Sequence, residues 1–217
     1  MKKKLYSVKE MVLIAMLAAI AYVIVAFIRI PVVLFLKYEP KDVIITIGGF
    51  LLGPLAAFIT SLVVSLVEMV SISDTGPIGA LMNLLSTCSF ACTAAIFYKK
   101  RHTLSGAIWG LLLGSIVMVG AMILWNWLIT PLYMGVERSA VEDMLIPMFL
   151  PFNLLKAGLN TAFVLFLYKP LVTALRKTGL IESREQTGSG SKMGLSLVGI
   201  LLLITCVLLL LVFQGKL

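Results

Sequence analysis

The segment PFNLLKAGLN, residues 151–160, places Asn153, Lys156 and Asn160 at spacings of i, i+3 and i+7, directly before the apolar run TAFVLFLY. That spacing keeps the three side chains within about 60° of arc on one helical face. A lysine at the centre of a membrane helix costs roughly 2.5–3.5 kcal/mol on insertion scales, so its presence needs a reason. Lys156 stands about 9 Å of helix rise from the Pro151 end. At that depth a lysine can snorkel to the outer head groups; two asparagines on the same face favour the other reading, an inward hydrogen-bonding wall.

Other apolar runs carry matching polar faces. Ser61, Ser65 and Glu68 recur at i, i+4 and i+7; Asn83, Ser86 and Thr87 cluster; and LWNWL sets Asn126 between Trp125 and Trp127. Each is ordinary alone, since serines help membrane helices pack and tryptophans mark the interface belt. Together, and with all but Ser61 toward the outer half, they outline an outward-facing cup lined by amides, a carboxylate and an ammonium. Amides paired with aromatics suit a flat heterocycle, whose edge offers donors and acceptors and whose faces need apolar walls.

The same groups are poor equipment for catalysis. There is no Ser/His/Asp set and no H-E-x-x-H spacing. GSGSKMG has glycine and lysine without the Walker A order and reads as a linker, so the chain is not expected to hydrolyse ATP by itself. Cys88, Cys92 and Cys206 all fall inside apolar runs and read as small core residues, with no histidine or carboxylate companions for a metal. The single histidine, His102, lies in the basic cluster YKKRH.

These faces must be positioned by membrane helices. Sixty per cent of the 217 residues are hydrophobic and only 13% charged, and the mean hydropathy is +1.08, a balance that no water-soluble domain carries on its surface. A bilayer core needs roughly 20 apolar residues per helix, and the alternating hydrophobicity of a barrel is missing. Apolar runs fall at about 10–36, 43–52, 54–72, 79–98, 105–132, 148–170 and 195–213. The second is too short to cross alone. It joins the third through GGFLLGP, whose glycines and Pro54 favour a break, so the pair reads as a short helix descending partway and a full one returning. The opening MKKKLYSVKE runs into the first apolar stretch without a cleavage signal, which predicts a retained first helix.

The expected fold class is all-α: a polytopic membrane helical bundle with a six-helix core over residues 1–178, a cytoplasmic Gly/Ser-rich tether over 179–194, and an additional C-terminal transmembrane helix over 195–217 facing lipid. With the N-terminus cytoplasmic, twelve lysines and arginines fall inside, among them Lys99, Lys100 and Arg101, against Lys37, Lys41, Arg138 and Lys216 outside. The net charge of +8 therefore belongs to the cytoplasmic rim, where anionic head groups of the lipid bilayer suffice as partners and no nucleic acid is implied. Ala15 and Ala19 stand in small-x-x-x-small spacing on the first run, which permits close helix approach within the bundle or against a partner subunit. Arg29, near the outer end, reads as snorkelling.

FLKYEPKDVIITIGGFLLGPLAAF at 35–58, SLVEM at 65–69 and PFNLLK at 151–156 resemble the riboflavin-specific substrate-binding (S) component of energy-coupling factor (ECF) vitamin transporters. The likeness extends over about residues 8–178. It implies capture of riboflavin on the outer side, with FMN or other flavin analogues as further candidates, and delivery inward when a transmembrane T subunit and two ATPase subunits engage. It implies no enzymatic activity and no cofactor, riboflavin being cargo. Asn126, Asn153 and Lys156 stand where the family places polar contacts to the isoalloxazine ring. Tyr38, Glu39 and Asp42 fall in a loop covering the pocket, near the ribityl chain, and Asn83 is a further carry-over. Ala15 and Ala19 match the alanine motif for the T subunit. The alternatives are an S component for another vitamin and an ion-coupled secondary transporter, the latter expected to need a midplane carboxylate or broken helices in a repeat.

Overall fold

A computed structural model of the chain describes residues 6–33 and 36–177, together with positions 200, 204, 206, 207 and 211. The first helix, α1 (Val8–Phe27), opens on a capping box: Glu10 N–H donates to Ser7 Oγ at 3.3 Å and Ser7 N–H donates to the Glu10 carboxylate at 2.7 Å. Two N-terminal donors are thereby satisfied.

The apolar run that begins in α1 does not stay helical to residue 36. After Phe27 the chain forms an antiparallel hairpin of β1 (Ile30–Val33) and β2 (Leu36–Tyr38), with Ile30 opposite Tyr38 and Pro31 opposite Lys37. Pro31 lacks the N–H a helix would use and biases Ile30 toward extended backbone, while the β-branched and aromatic residues around it fit a pleated ribbon.

The short helix α2 (Lys41–Leu52) is the central rod, packed against α1, α3 (Pro54–Ser71), α4 (Gly76–Arg101) and α7 (Leu150–Lys177). Every residue from 41 to 50 is buried. Its glycines make that enclosure possible: a Cβ on Gly49 would lie 3.0 Å from the Cβ atoms of Ala57 and Ala95, and one on Gly48 would lie 3.0 Å from Leu17 Cδ1. The helix stops at Gly53, whose φ of 95° suits glycine, and Pro54 then starts α3 at a position where its missing N–H costs nothing.

The long helices α4 and α5 (Leu104–Met134) pack closely along their length. The connector between α5 and α7 is helical too: α6 (Arg138–Met144), a π-helical turn (Leu145–Phe149) and α7 run on without a break. Pro147 and Pro151 lie in and just after that turn, where a wider register accommodates their missing donors. Among the described residues five stretches are long and apolar enough to cross a membrane: Val8–Phe27, Pro54–Ser71, Gly76–Arg101, Leu104–Met134 and Arg138–Leu171. With the enclosed α2 they make an all-α, multi-pass core. Phe50 stacks on Tyr98 at 4.5 Å between ring centres, and the Tyr98 and Tyr168 hydroxyls lie 2.6 Å apart, closing the end of the bundle opposite the hairpin.

The predicted tether lies outside the described residues, as does most of the last helix. At the described positions of that segment Ile200, Ile204 and Val207 are exposed. Cys206 is not: it is buried in one apolar cluster with Tyr38, Val141, Phe149 and Phe152, so this face of the segment meets the core.

Candidate functional site

Between the hairpin, the α3–α4 connector and the adjoining turns of α4, α5 and α7 lies a cavity of about 210 Å³. Its floor and walls include Asn83, Ser86, Asn126, Asn153 and Lys156, with Met82, Met122 and Phe152 as apolar surfaces; Arg29, Lys37, Glu39, Ser73, Asp74 and Thr75 rim it. Exposure sets the direction of entry. Asn126 and Asn153 are each 2% exposed, whereas the Asp74 side chain is 75% exposed.

The polar stripe of α7 faces inward. Lys156 Nζ lies 3.2 Å from Asp42 Oδ2 and donates to Ser86 Oγ at 3.1 Å. Asn153 donates to the Phe149 carbonyl of its own helix at 2.7 Å, and its carbonyl oxygen takes no hydrogen bond among the described residues. Asn126 is held in the same way, donating to the Met122 carbonyl at 2.7 Å while its oxygen accepts from Thr130 at 2.9 Å. Asn153 is thus anchored by one intrahelical bond and Asn126 by two, and each amide keeps hydrogen-bonding capacity to spare.

Asp42 and Tyr38 stand behind this wall rather than on it. Asp42 is 0% exposed and belongs to the first turn of α2, not to a covering loop. Its carboxylate accepts from Thr87 at 2.7 Å and from Asn160 at 3.3 Å, and Asn160 in turn accepts from the Tyr38 hydroxyl at 3.1 Å. Lys41, expected among the outer charges, is likewise buried. Its ammonium binds Glu39 at 2.6 Å and both oxygens of Glu68, which also accepts from Asn83 at 3.1 Å. A buried charge is tolerable only when paired and hydrogen-bonded, and the three buried acids Glu39, Asp42 and Glu68 meet that condition.

Arg29 does not snorkel. Its guanidinium donates to the Ile72 carbonyl at 2.8 Å and lies 3.2 Å from Glu39 Oε1, although Nε is not aligned for a hydrogen bond there. Lys37 reaches across from β2 to Asp74 at 2.7 Å. That ammonium holds the Asp74 carboxyl below the usual carboxylate range.

Glu39, Asn83, Asn126, Asn153 and Lys156 are therefore brought to one cavity. The tryptophans are not: Trp127 donates from its indole to Glu142 at 2.8 Å and carries the Arg138 guanidinium 4.8 Å from its ring centre, while Trp125 packs toward Met82 and Tyr133 away from the amide wall. Phe152, Met82 and Met122 supply the flat apolar surfaces instead. Among the residues missed, Arg29 carried a usable signal, an arginine two residues before a proline at a helix end. Ser73, Asp74 and Thr75 carried none beyond a polar connector. Ala15 and Ala19 lie elsewhere, exposed on α1 along a separate apolar groove between α1 and α3 lined by Tyr22, Ile59 and Val63.

A chamber with an apolar and amide floor and a charged mouth is built to hold a small guest. The model of the ECF transporter substrate-specific component matches residues 9–168. The chain is 29% identical over 162 residues to the riboflavin transporter FmnP of Bacillus subtilis, covering 69% of this chain and 84% of that protein. It is 27% identical over 181 residues to the riboflavin transporter RibU of Streptococcus thermophilus, covering 78% and 85%. A solved structure of the S component of a bacterial ECF transporter superposes with a TM-score of 0.65 at 31% identity, covering 77% of this chain and 98% of the other. With the cavity, the helix order and these matches taken together, the chain belongs to the substrate-specific components of ECF transporters.

Proposed function

We propose that this membrane protein is the riboflavin-binding S component of an ECF transporter, taking vitamin B2 from the outer side and releasing it inward when a T subunit and two ATPase subunits engage it. One observation carries the reading: Asn126, Asn153 and Lys156, from two helices, converge on a single buried hollow with apolar faces. The edge of an isoalloxazine ring supplies the donors and acceptors that these groups lack, and Met82, Met122 and Phe152 flank its faces. Asn83 completes the ring sector. The ribityl chain then points to the mouth, where Glu39 and the hydroxyls of Ser73 and Thr75 accept and donate. Asp42 and Tyr38 act through Lys156 and Asn160 rather than by contact.

At about 210 Å³ the cavity is smaller than the roughly 300–1,000 Å³ of a drug-sized site. A flavin fills it only when the hairpin and the α3–α4 connector part, so binding and mouth opening are one event. The exposed alanines Ala15 and Ala19, beside the groove on α1, are the face offered to the T subunit, where small side chains let another helix approach. The basic ends of α4 and α7 lie in the cytoplasm with the N-terminus. Residues 1–178 form the binding domain, and 195–217 an added span.

The test is direct. Freshly purified full-length protein is expected to carry a flavin absorption band in the blue, and added riboflavin to lose fluorescence on binding in the nanomolar to micromolar range. Protein that neither copurifies with flavin nor quenches it refutes the assignment. Competition with thiamine, biotin and folate separates it from another vitamin.

A further inference from the structure

The end of the bundle opposite the hairpin carries a groove of about 360 Å³ between the last turns of α4 and the first turns of α5, lined by Phe97, Lys100, Arg101, Gly106, Trp109 and Leu113. Phe97, Lys100 and Arg101 stand at i, i+3 and i+4 on α4, and Gly106, Trp109 and Leu113 at i, i+3 and i+7 on α5. Each set shares one helical face, and the two faces meet across the groove. A Cβ on Gly106 would lie 2.9 Å from the Arg101 Cβ, so the stem of the arginine crosses α5 where a side chain would have stood.

The cations of this groove have no acidic partner among the described residues. The ion pairs found there involve Arg29, Lys37, Lys41 and Lys156, all at the cavity end, and none reaches Lys100 or Arg101, which are both exposed. Trp109 is 56% exposed, and its indole N–H finds no acceptor among the described residues.

Depth orders the same groups. Lys100 and Arg101 end α4 at the connector. Trp109 lies about 7.5 Å of helix rise along α5 from Leu104, Leu113 about 6 Å beyond it, and Phe97 about 6 Å back along α4 from Arg101. Cations at the rim, an amphipathic indole below them and bare hydrocarbon deeper follow the layers of a phospholipid, from phosphate through glycerol esters to acyl chain.

We infer that the groove binds one anionic phospholipid, its phosphodiester held by Lys100 and Arg101, its ester region by the Trp109 indole and one acyl chain between Phe97 and Leu113. Two cations without a protein counter-charge favour a head group of net negative charge over a zwitterionic one, whose own ammonium would be brought beside them. Arg101 offers a planar fork that matches phosphate oxygens. Lys100 Nζ lies 6.0 Å from the Phe97 ring centre, which keeps its charge at the edge of the groove. Such a site differs from the diffuse attraction of a basic rim for acidic membrane, because it takes one lipid at one place. Lys9 on α1 and Lys169 on α7 belong to the same rim by charge and take no part in it.

Native mass spectrometry of the purified full-length protein in detergent reads the site, with phosphatidylglycerol and phosphatidylcholine of identical acyl chains and, separately, inorganic phosphate as probes. The parent is expected to retain one phosphatidylglycerol at least about tenfold more tightly than phosphatidylcholine, and to retain no inorganic phosphate. Lys100→Gln combined with Arg101→Gln should weaken phosphatidylglycerol binding by about tenfold or more. Trp109→Ala, which removes no charge, should weaken it severalfold and is an independent arm of the test. Lys9→Gln combined with Lys169→Gln removes the same charge from exposed positions and should leave that affinity unchanged. Equal loss in the two double variants reduces the effect to the overall charge of the rim and overturns the inference. So do equal retention of the two lipids, retention of inorganic phosphate as tight as that of the lipid, an affinity that Trp109→Ala leaves unmoved, and the absence of any bound lipid, which would leave the groove to a protein partner.

Discussion

Lys156 Nζ lies 3.2 Å from Asp42 Oδ2, so a lysine on the last helix of the core and an aspartate at the head of its central helix neutralise each other in the bundle interior. The pair explains how a membrane helix tolerates an ammonium at that depth. It also ties the wall of the cavity to the best-buried element of the fold. Removing one partner leaves the other as a buried, uncompensated charge, which is costlier than removing both.

Lys156→Met is accordingly expected to destabilise the protein by about 3–5 kcal/mol, read as a fall in the thermal midpoint in detergent. Combining it with Asp42→Asn should recover most of that loss while flavin binding stays impaired. If Lys156→Met melts like the parent, the pairing has no structural weight.

Asn126→Ala and Asn153→Ala are expected to separate binding from stability. Each asparagine donates to a carbonyl of its own helix, so truncation frees little that the bundle needs. Loss of a hydrogen bond to a buried guest should nevertheless weaken riboflavin binding by about 1–3 kcal/mol, measured by fluorescence titration with the melting curve as control. Unaltered affinity would remove that residue from the site.

The α4–α5 contact depends on bare backbone. A Cβ on Gly114 would stand 2.6 Å from the Phe90 carbonyl oxygen, and one on Gly110 would stand 2.7 Å from that of Ala94. Gly114→Val should therefore cost about 1–3 kcal/mol by forcing the helices apart. Gly120 on the same helix has nothing within 4 Å of its added Cβ, so Gly120→Ala should be neutral or slightly stabilising. Indistinguishable melting of the two variants would contradict the packing.

The orientation can be read by chemical labelling. After replacing Cys88, Cys92 and Cys206, a single cysteine at His102 should be shielded from an impermeant maleimide in intact cells, and one at Ser139 should react. The reverse pattern inverts the bundle and with it the side from which the cavity fills.

Much of this architecture is written in local chemistry. Runs of apolar residues locate the spanning helices, GGFLLGP locates the break between α2 and α3, and the i, i+3, i+7 spacing of Asn153, Lys156 and Asn160 locates a wall. Those signals depend only on neighbours a few residues away. The hairpin is less legible, because IPVV is as apolar as the helix before it, and hydropathy does not distinguish strand from helix over so short a stretch.

Charge pairing lies beyond any local signal. Nothing near Asp42 announces that its partners are Thr87, Lys156 and Asn160, the last 118 positions away. Nothing near Lys41 announces Glu68, and nothing near Lys37 announces Asp74. A polar residue beside a helix end is equally at home in head groups or in a dry core, and its solvation is decided by which helices close around it. Composition and periodicity therefore dictated a membrane bundle with a polar hollow. Folding alone determined that Lys41 and Asp42 leave the surface, that Arg29 turns inward and that the charged groups around the hollow meet partners of opposite sign, since the energy of a buried ion depends on partners brought near by the whole chain.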